Sequence, residues 1–75
     1  MMRLEEIEIN RWVKILRVEG GKSIEFKLLQ MGITPGTQTR VKRKAPFGGP
    51  LLMEVNGLEV ALSREVAANI WVEAQ

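Results

Sequence analysis

The stretch LLMEVNGLEVAL, Leu51 to Leu62, decides the fold class. Asn56-Gly57 sits between two apolar runs. A type I′ turn needs positive φ at both central residues, and Asn followed by Gly meets that need best. A two-residue loop then fixes the register. Val55 pairs with Leu58, Met53 with Val60 and Leu51 with Leu62, and these six side chains share one face, predicted to be core. The other face carries Leu52 opposite Ala61 and Glu54 opposite Glu59. Two opposed glutamates repel modestly unless a cation lies between them.

Downstream, Ser63 reads as the N-cap of a short helix within 63–70, with Glu65 in its first turn, where the helix dipole favours an acid. Ile70 to Glu73 (IWVE) is a β-branched closing strand. Upstream lies KAPFGGP, Lys44 to Pro50. Pro46 and Pro50 stiffen this loop, while Gly48 and Gly49 let it turn sharply.

Before the loop, TQTRVKRK (37–44) alternates as a strand. Gln38, Arg40, Lys42 and Lys44 fall on a basic, wet face; Thr37, Thr39 and Val41 fall on the other. GITPGT (32–37) fits a type II turn with Pro35 at its second position and Gly36 at its third.

KSIEFKLLQM (22–31) has helical spacing, ended by Gly32 just past the last turn. Ile24, Leu28 and Met31 line one helix face, Phe26 and Leu29 the opposite one. One face packs on the barrel; the other is covered by the N-terminal segment or by a partner. RWVKILRVE (11–19) is a strand whose imperfect alternation predicts a bulge or burial on both faces. Leu4, Ile7 and Ile9 fit a short turn followed by a strand. The whole reads as one domain, residues 1–75: a mainly β, closed or nearly closed barrel of about five short strands, with a helix after the first strand and a short helix before the last.

Composition narrows the chemistry. The 75 residues hold no Cys and no His, and all nine acids are Glu. The commonest general base and the commonest transition-metal ligand are therefore both missing, and a Ser/His/Asp triad is excluded. Gly20-Gly21-Lys22 lacks the spacing of a phosphate loop. Glu54 and Glu59 alone are too few ligands for a hard cation that takes about six. No catalytic, metal-binding or cofactor-binding residue is assigned, and the chain is read as no enzyme. The net charge of +2 is too small to argue for nucleic acid, and no aromatic interleaves with Arg40, Lys42 and Lys44. The acidic start lacks the apolar run of a secretory leader, and no stretch is long and apolar enough to span a bilayer. A cytoplasmic location is expected, with self-association left open.

The ordered set LLQMGITPG, then KAPFGGPLLMEVNGLEVALSREVAANIWVE, resembles the FeoA family, small partners of the ferrous-iron transporter FeoB. The family pattern is carried by Leu28, Leu29, Met31, Gly32, Pro35 and Gly36, then by Ala45, Pro46, Gly48 and Pro50. Its tail is matched by Val60, Leu62, Ala67, Ile70 and Val72. Many relatives have a Gly before the first strand; this chain has Asn10, which also tolerates positive φ. The resemblance implies an SH3-like barrel, a module also found at the C-terminus of iron-dependent regulators related to the diphtheria toxin repressor. It further implies support of ferrous-iron uptake by cytoplasmic contact with FeoB. A nucleic-acid-binding barrel and a stand-alone metal-sensing domain are the alternatives.

Four residues are expected to meet the partner: Leu28, Met31, Pro46 and Phe47. The turn glycines and prolines, with Asn56 and Gly57, are expected to shape the scaffold. Phe47 reads either as an anchor held out by its stiff loop or as a lid folded over the barrel end.

Overall fold

The hairpin forms in the register its turn dictates. A computed structural model describes all 75 residues. In it β4 (Leu51–Val55) pairs with β5 (Leu58–Leu62) through Leu51–Leu62, Met53–Val60 and Val55–Leu58. Asn56 and Gly57 have φ of 52° and 81°, as a type I′ turn requires. The expected core face is only partly core. Leu51, Met53, Val55 and Leu62 are buried, Val60 is half-buried and Leu58 is exposed. The reason is that β5 is an edge strand, so nothing packs beyond Leu58.

Around this hairpin the other strands are β1 (Met2–Arg3), β2 (Val13–Val18), β3 (Gln38–Lys44) and β6 (Ile70–Ala74). All pairings are antiparallel, in the order β1-β6-β2-β3-β4-β5. Sequence reading gave five strands. The sixth, β1, is two residues long and exists only against Val72 and Trp71 of β6, so no local pattern announces it. A 3₁₀ turn, Leu4–Glu6, follows it and buries Leu4.

Two bulges curl the sheet. The β2–β6 register shifts between Ile15 and Arg17, which explains the imperfect alternation of that strand. The β3–β4 register shifts between Val41 and Arg43. A one-residue insertion flips every later side chain to the other face. Arg40 therefore shares the outer face with Glu54, whereas Lys44 is paired with buried Leu51 and turns to the barrel end. There its Nζ donates to the Glu5 carbonyl at 3.1 Å.

The curled sheet encloses one core of Leu4, Ile7, Val13, Ile15, Leu28, Ile33, Val41, Leu51, Met53, Val55, Leu62, Ala67, Ile70 and Val72. The 3₁₀ turn meets α2 (Arg64–Ala67). Ser63 caps α2 as expected, its Oγ accepting the Val66 N–H at 3.2 Å. Asn10 takes φ of 70° and donates its N–H to the Val41 carbonyl at 2.7 Å, so the turn before β2 survives without glycine.

Helix α1 (Lys22–Gln30) ends in a Schellman motif. Gly32, at φ 80°, donates to the Leu29 carbonyl at 3.0 Å, and Ile33 donates to the Leu28 carbonyl at 2.9 Å. The motif brings Ile33 and Leu28 together, and both are about 1% exposed.

Candidate partner-binding site

The loop between β3 and β4 holds the most exposed large apolar side chain in the molecule. Its hairpin base is closed by the Ala45 N–H donating to the Pro50 carbonyl at 3.0 Å. Within it the Gly49 N–H donates to the Pro46 carbonyl at 3.1 Å, and the two residues between, Phe47 and Gly48, have φ of 59° and 70°. This is the φ signature of a second type I′ turn, with Phe at the position Asn or Gly prefers. Left-handed backbone costs a residue with a bulky side chain roughly 1–2 kcal/mol. Phe47 is also fully exposed, at 104% of its reference area. The ring does not fold back over the barrel end.

Such a conformation persists only if its surroundings over-determine it, and Arg64 supplies much of that constraint. From the first residue of α2 its Nε donates to the Gly49 carbonyl and its Nη2 to the Ala45 carbonyl, each at 3.1 Å. One guanidinium thus ties both sides of the loop to the helix. Gly49 packs so closely that a Cβ there would lie 2.8 Å from the Ala45 Cβ. Pro46 and Pro50 restrict the remaining freedom.

The other expected contact residues are not gathered here. Leu28 is core, which corrects its assignment to a partner patch: the Schellman contact with Ile33 turns it inward. Met31 is half-buried and packs on the same core. It also lies at the far end of β4 from Phe47. Gly32 abuts Asn56 and Val55, whereas the Phe47 loop enters β4 at Leu51. Leu28, Met31 and Phe47 therefore form no single surface. Pro46 and Phe47 remain together on one exposed turn.

The uncovered face of α1 is the opposite one. Phe26 is 61% exposed and Leu29 56%. The N-terminal segment does not cover them; its Leu4 and Ile7 enter the core instead. Beside Leu29 an open groove of about 400 Å³ is lined by Arg17, Val18, Glu25, Ile33 and Pro35. The helical spacing already separated these two faces. The Gly32-Ile33 pair, read as a Schellman signal, identifies which of them turns inward. Arg64 had no comparable signal, because its partners are backbone carbonyls 15 and 19 residues earlier in the chain.

The basic strand is largely committed within the molecule. Arg40 Nη2 meets Glu54 Oε1 at 2.7 Å and stacks over Trp12 at 4.9 Å. Lys42 Nζ meets Glu59 Oε2 at 2.9 Å. These cations answer the repulsion between the opposed glutamates. The hydrogen bond from Lys42, then its charge, then that of Arg43, holds the Glu59 carboxyl below its usual value. The bulge at Lys42 removes Lys44 from the expected stripe. A metal ion at Glu54 and Glu59 would have to displace both cations.

The FeoA domain family matches residues 2–74. The chain belongs to the FeoA family. A Fe(2+) transport protein A/Fe(2+) transporter FeoB fusion protein of Porphyromonas gingivalis is 36% identical over 72 residues, 96% of this chain and 8% of that protein. A FeoA-like protein from Clostridium acetobutylicum is 32% identical, with a TM-score of 0.86 over 97% of this chain and 85% of the other. The Stenotrophomonas maltophilia FeoA complexed with zinc, described as a prokaryotic SH3 domain protein, is 26% identical. Its TM-score is 0.80, over 97% of this chain and 91% of that one. The chain thus has an SH3-like barrel fold. No helix in it is long and apolar enough to cross a membrane.

Proposed function

We propose that this chain is a non-catalytic accessory of ferrous-iron uptake that acts by contact with the cytoplasmic part of a FeoB-type transporter. The observation that carries the reading is the match to the FeoA–FeoB fusion protein. There a segment 36% identical to nearly this whole chain belongs to the same polypeptide as a transporter. Where the two are separate chains, a noncovalent surface has to replace the peptide linkage.

Phe47, with Pro46 beside it, is the anchor of that surface. An exposed aromatic on a preordered loop binds with little further loss of chain entropy, and such residues dominate interface energies. The backbone strain at Phe47 gives the monomer nothing in return, since its ring is uncovered. A partner pocket supplies the missing contact.

Co-purification of the transporter from detergent-solubilised membranes tests the reading. The tagged wild-type chain is expected to retain the transporter, and a folded Phe47→Asp chain is expected to lose it. Equal recovery by both chains would reject Phe47 as the anchor. No recovery by either would reject the transporter as the partner.

A further inference from the structure

The sheet has two free edges, and they are treated differently. β1 is only two residues long, and Arg3 lies over the Trp71 ring at 4.8 Å. β5 is five residues long, LEVAL, without Pro, Lys, a bulge or an inward charge. Natural proteins ordinarily blunt an edge with one of those devices, because an open edge is a template for another strand.

The hairpin geometry says which groups are open. A type I′ turn makes Val55–Leu58 a hydrogen-bonded pair, and such pairs alternate along the ladder. Leu58, Val60 and Leu62 therefore bond to β4. The N–H and C=O groups of Glu59 and Ala61 point away from it, and both residues are exposed. Leu58, on the core side of the strand, is 69% exposed.

We infer that β5 pairs with β5 of a second copy, antiparallel, about a two-fold axis at Val60. The strand is self-complementary about that point, because Leu-x-Val-x-Leu reads the same in both directions. The outward groups of Glu59 meet those of Ala61 of the partner subunit, and Leu58 lies beside Leu62 of the partner subunit. Val60 faces Val60 of the partner subunit. Glu59 thus stands opposite a neutral Ala, with its charge already answered by Lys42. Slipping the register by two residues one way sets Glu59 against Glu59 of the partner subunit. Slipping it the other way uses Ser63, whose carbonyl is engaged by the Ala67 N–H. Each copy extends the other's sheet and covers the exposed Leu58. This pairing rests on the open edge of β5 and not on the Phe47 ring or the transporter contact.

Analytical ultracentrifugation of the 75-residue chain over a concentration series tests it, with amide exchange followed by NMR. The expected result is a species of twice the 8.5 kDa chain mass, with protection at Glu59 and Ala61 that rises with concentration. Ala61→Pro removes an N–H that β4 does not use, and it is expected to abolish the dimer. Leu58→Lys, at an exposed site, is expected to weaken it at least about tenfold and decides the matter should Ala61→Pro fail to fold. A wild-type chain of 8.5 kDa at every concentration would overturn the inference. So would a dimer untouched by Leu58→Lys, or protection of Glu59 and Ala61 that appears only when the transporter's cytoplasmic domain is added.

Discussion

Two turns in this molecule share one backbone geometry and differ in almost everything else. Asn56-Gly57 and Phe47-Gly48 both have positive φ at consecutive positions, and both sit at hairpin tips of β4. At the first, the residue suits the backbone. Asn tolerates this conformation, and its side chain packs so near Gly32 that a Cβ there would lie 2.9 Å from the Asn56 Nδ2. At the second, the residue opposes the backbone. Phe gains nothing from the turn, touches no core residue and is held by the Arg64 guanidinium. The first turn is explained by folding alone. The second is not explained by folding, since its ring is fully exposed, and the proposed partner contact would give that exposure a use.

Placing the wrong residue in the structural turn has the largest expected effect. Asn56→Phe adds the left-handed penalty and drives a ring toward Gly32 at the end of α1. It is expected to lower unfolding free energy by about 2–3 kcal/mol in urea melts. Arg64→Met ranks next. It strands the Ala45 and Gly49 carbonyls and frees the loop, for a loss of about 1–2 kcal/mol. Faster amide exchange at Gly49 than in the wild type should accompany it. Phe47→Asn moves the other way. It relieves the strained position and is expected to stabilise by about 0.5–1 kcal/mol. A destabilised Phe47→Asn would mean that the ring serves the fold after all.

The smallest effect lies on the face between the turns. Lys42 holds the Glu59 carboxyl below its usual value, chiefly by their hydrogen bond. A carboxylate lowered in this way adds stability above its unfolded-state pKa, and that contribution fades as pH falls through the folded value. Lys42→Met should raise the Glu59 titration, read by carboxyl ¹³C shifts, and flatten the acid limb of stability slightly. An unchanged Glu59 titration would remove the pairing from the account.

Sequence legibility followed the locality of the physics. The Asn56-Gly57 register, the Gly32 stop, the Ser63 cap and positive φ at Asn10 are decided within a few residues, and all were readable. The broken alternation of β2 allowed a bulge or burial on both faces, and the bulge is present. What depended on distant partners was not readable. β1 needs β6 to exist, and Leu58 is exposed because its strand has no neighbour. The β3 bulge that reorients Lys44 leaves no mark in an alternating KRK run. For the candidate site, the stiff loop around Phe47 and Pro46 allowed either an exposed ring or a lid over the barrel end, and the structure has the ring exposed. Leu28 was assigned to the surface because spacing alone does not say which side of a helix faces in. The Arg64 clamp spans too much sequence to be read from a local pattern.

The most direct test measures affinity and stability on one variant. Phe47→Gly keeps the turn, removes the ring and suits the backbone. Calorimetric titration against the cytoplasmic domain of the FeoB-type transporter should show Kd raised by about 30-fold or more, the loss of a contact worth about 2 kcal/mol. The melting profile should shift by no more than about 1 kcal/mol in stability. A Phe47→Gly chain that binds as tightly as the wild type, with an unaltered fold, would contradict the claim that the strained turn exists to present its side chain to a partner.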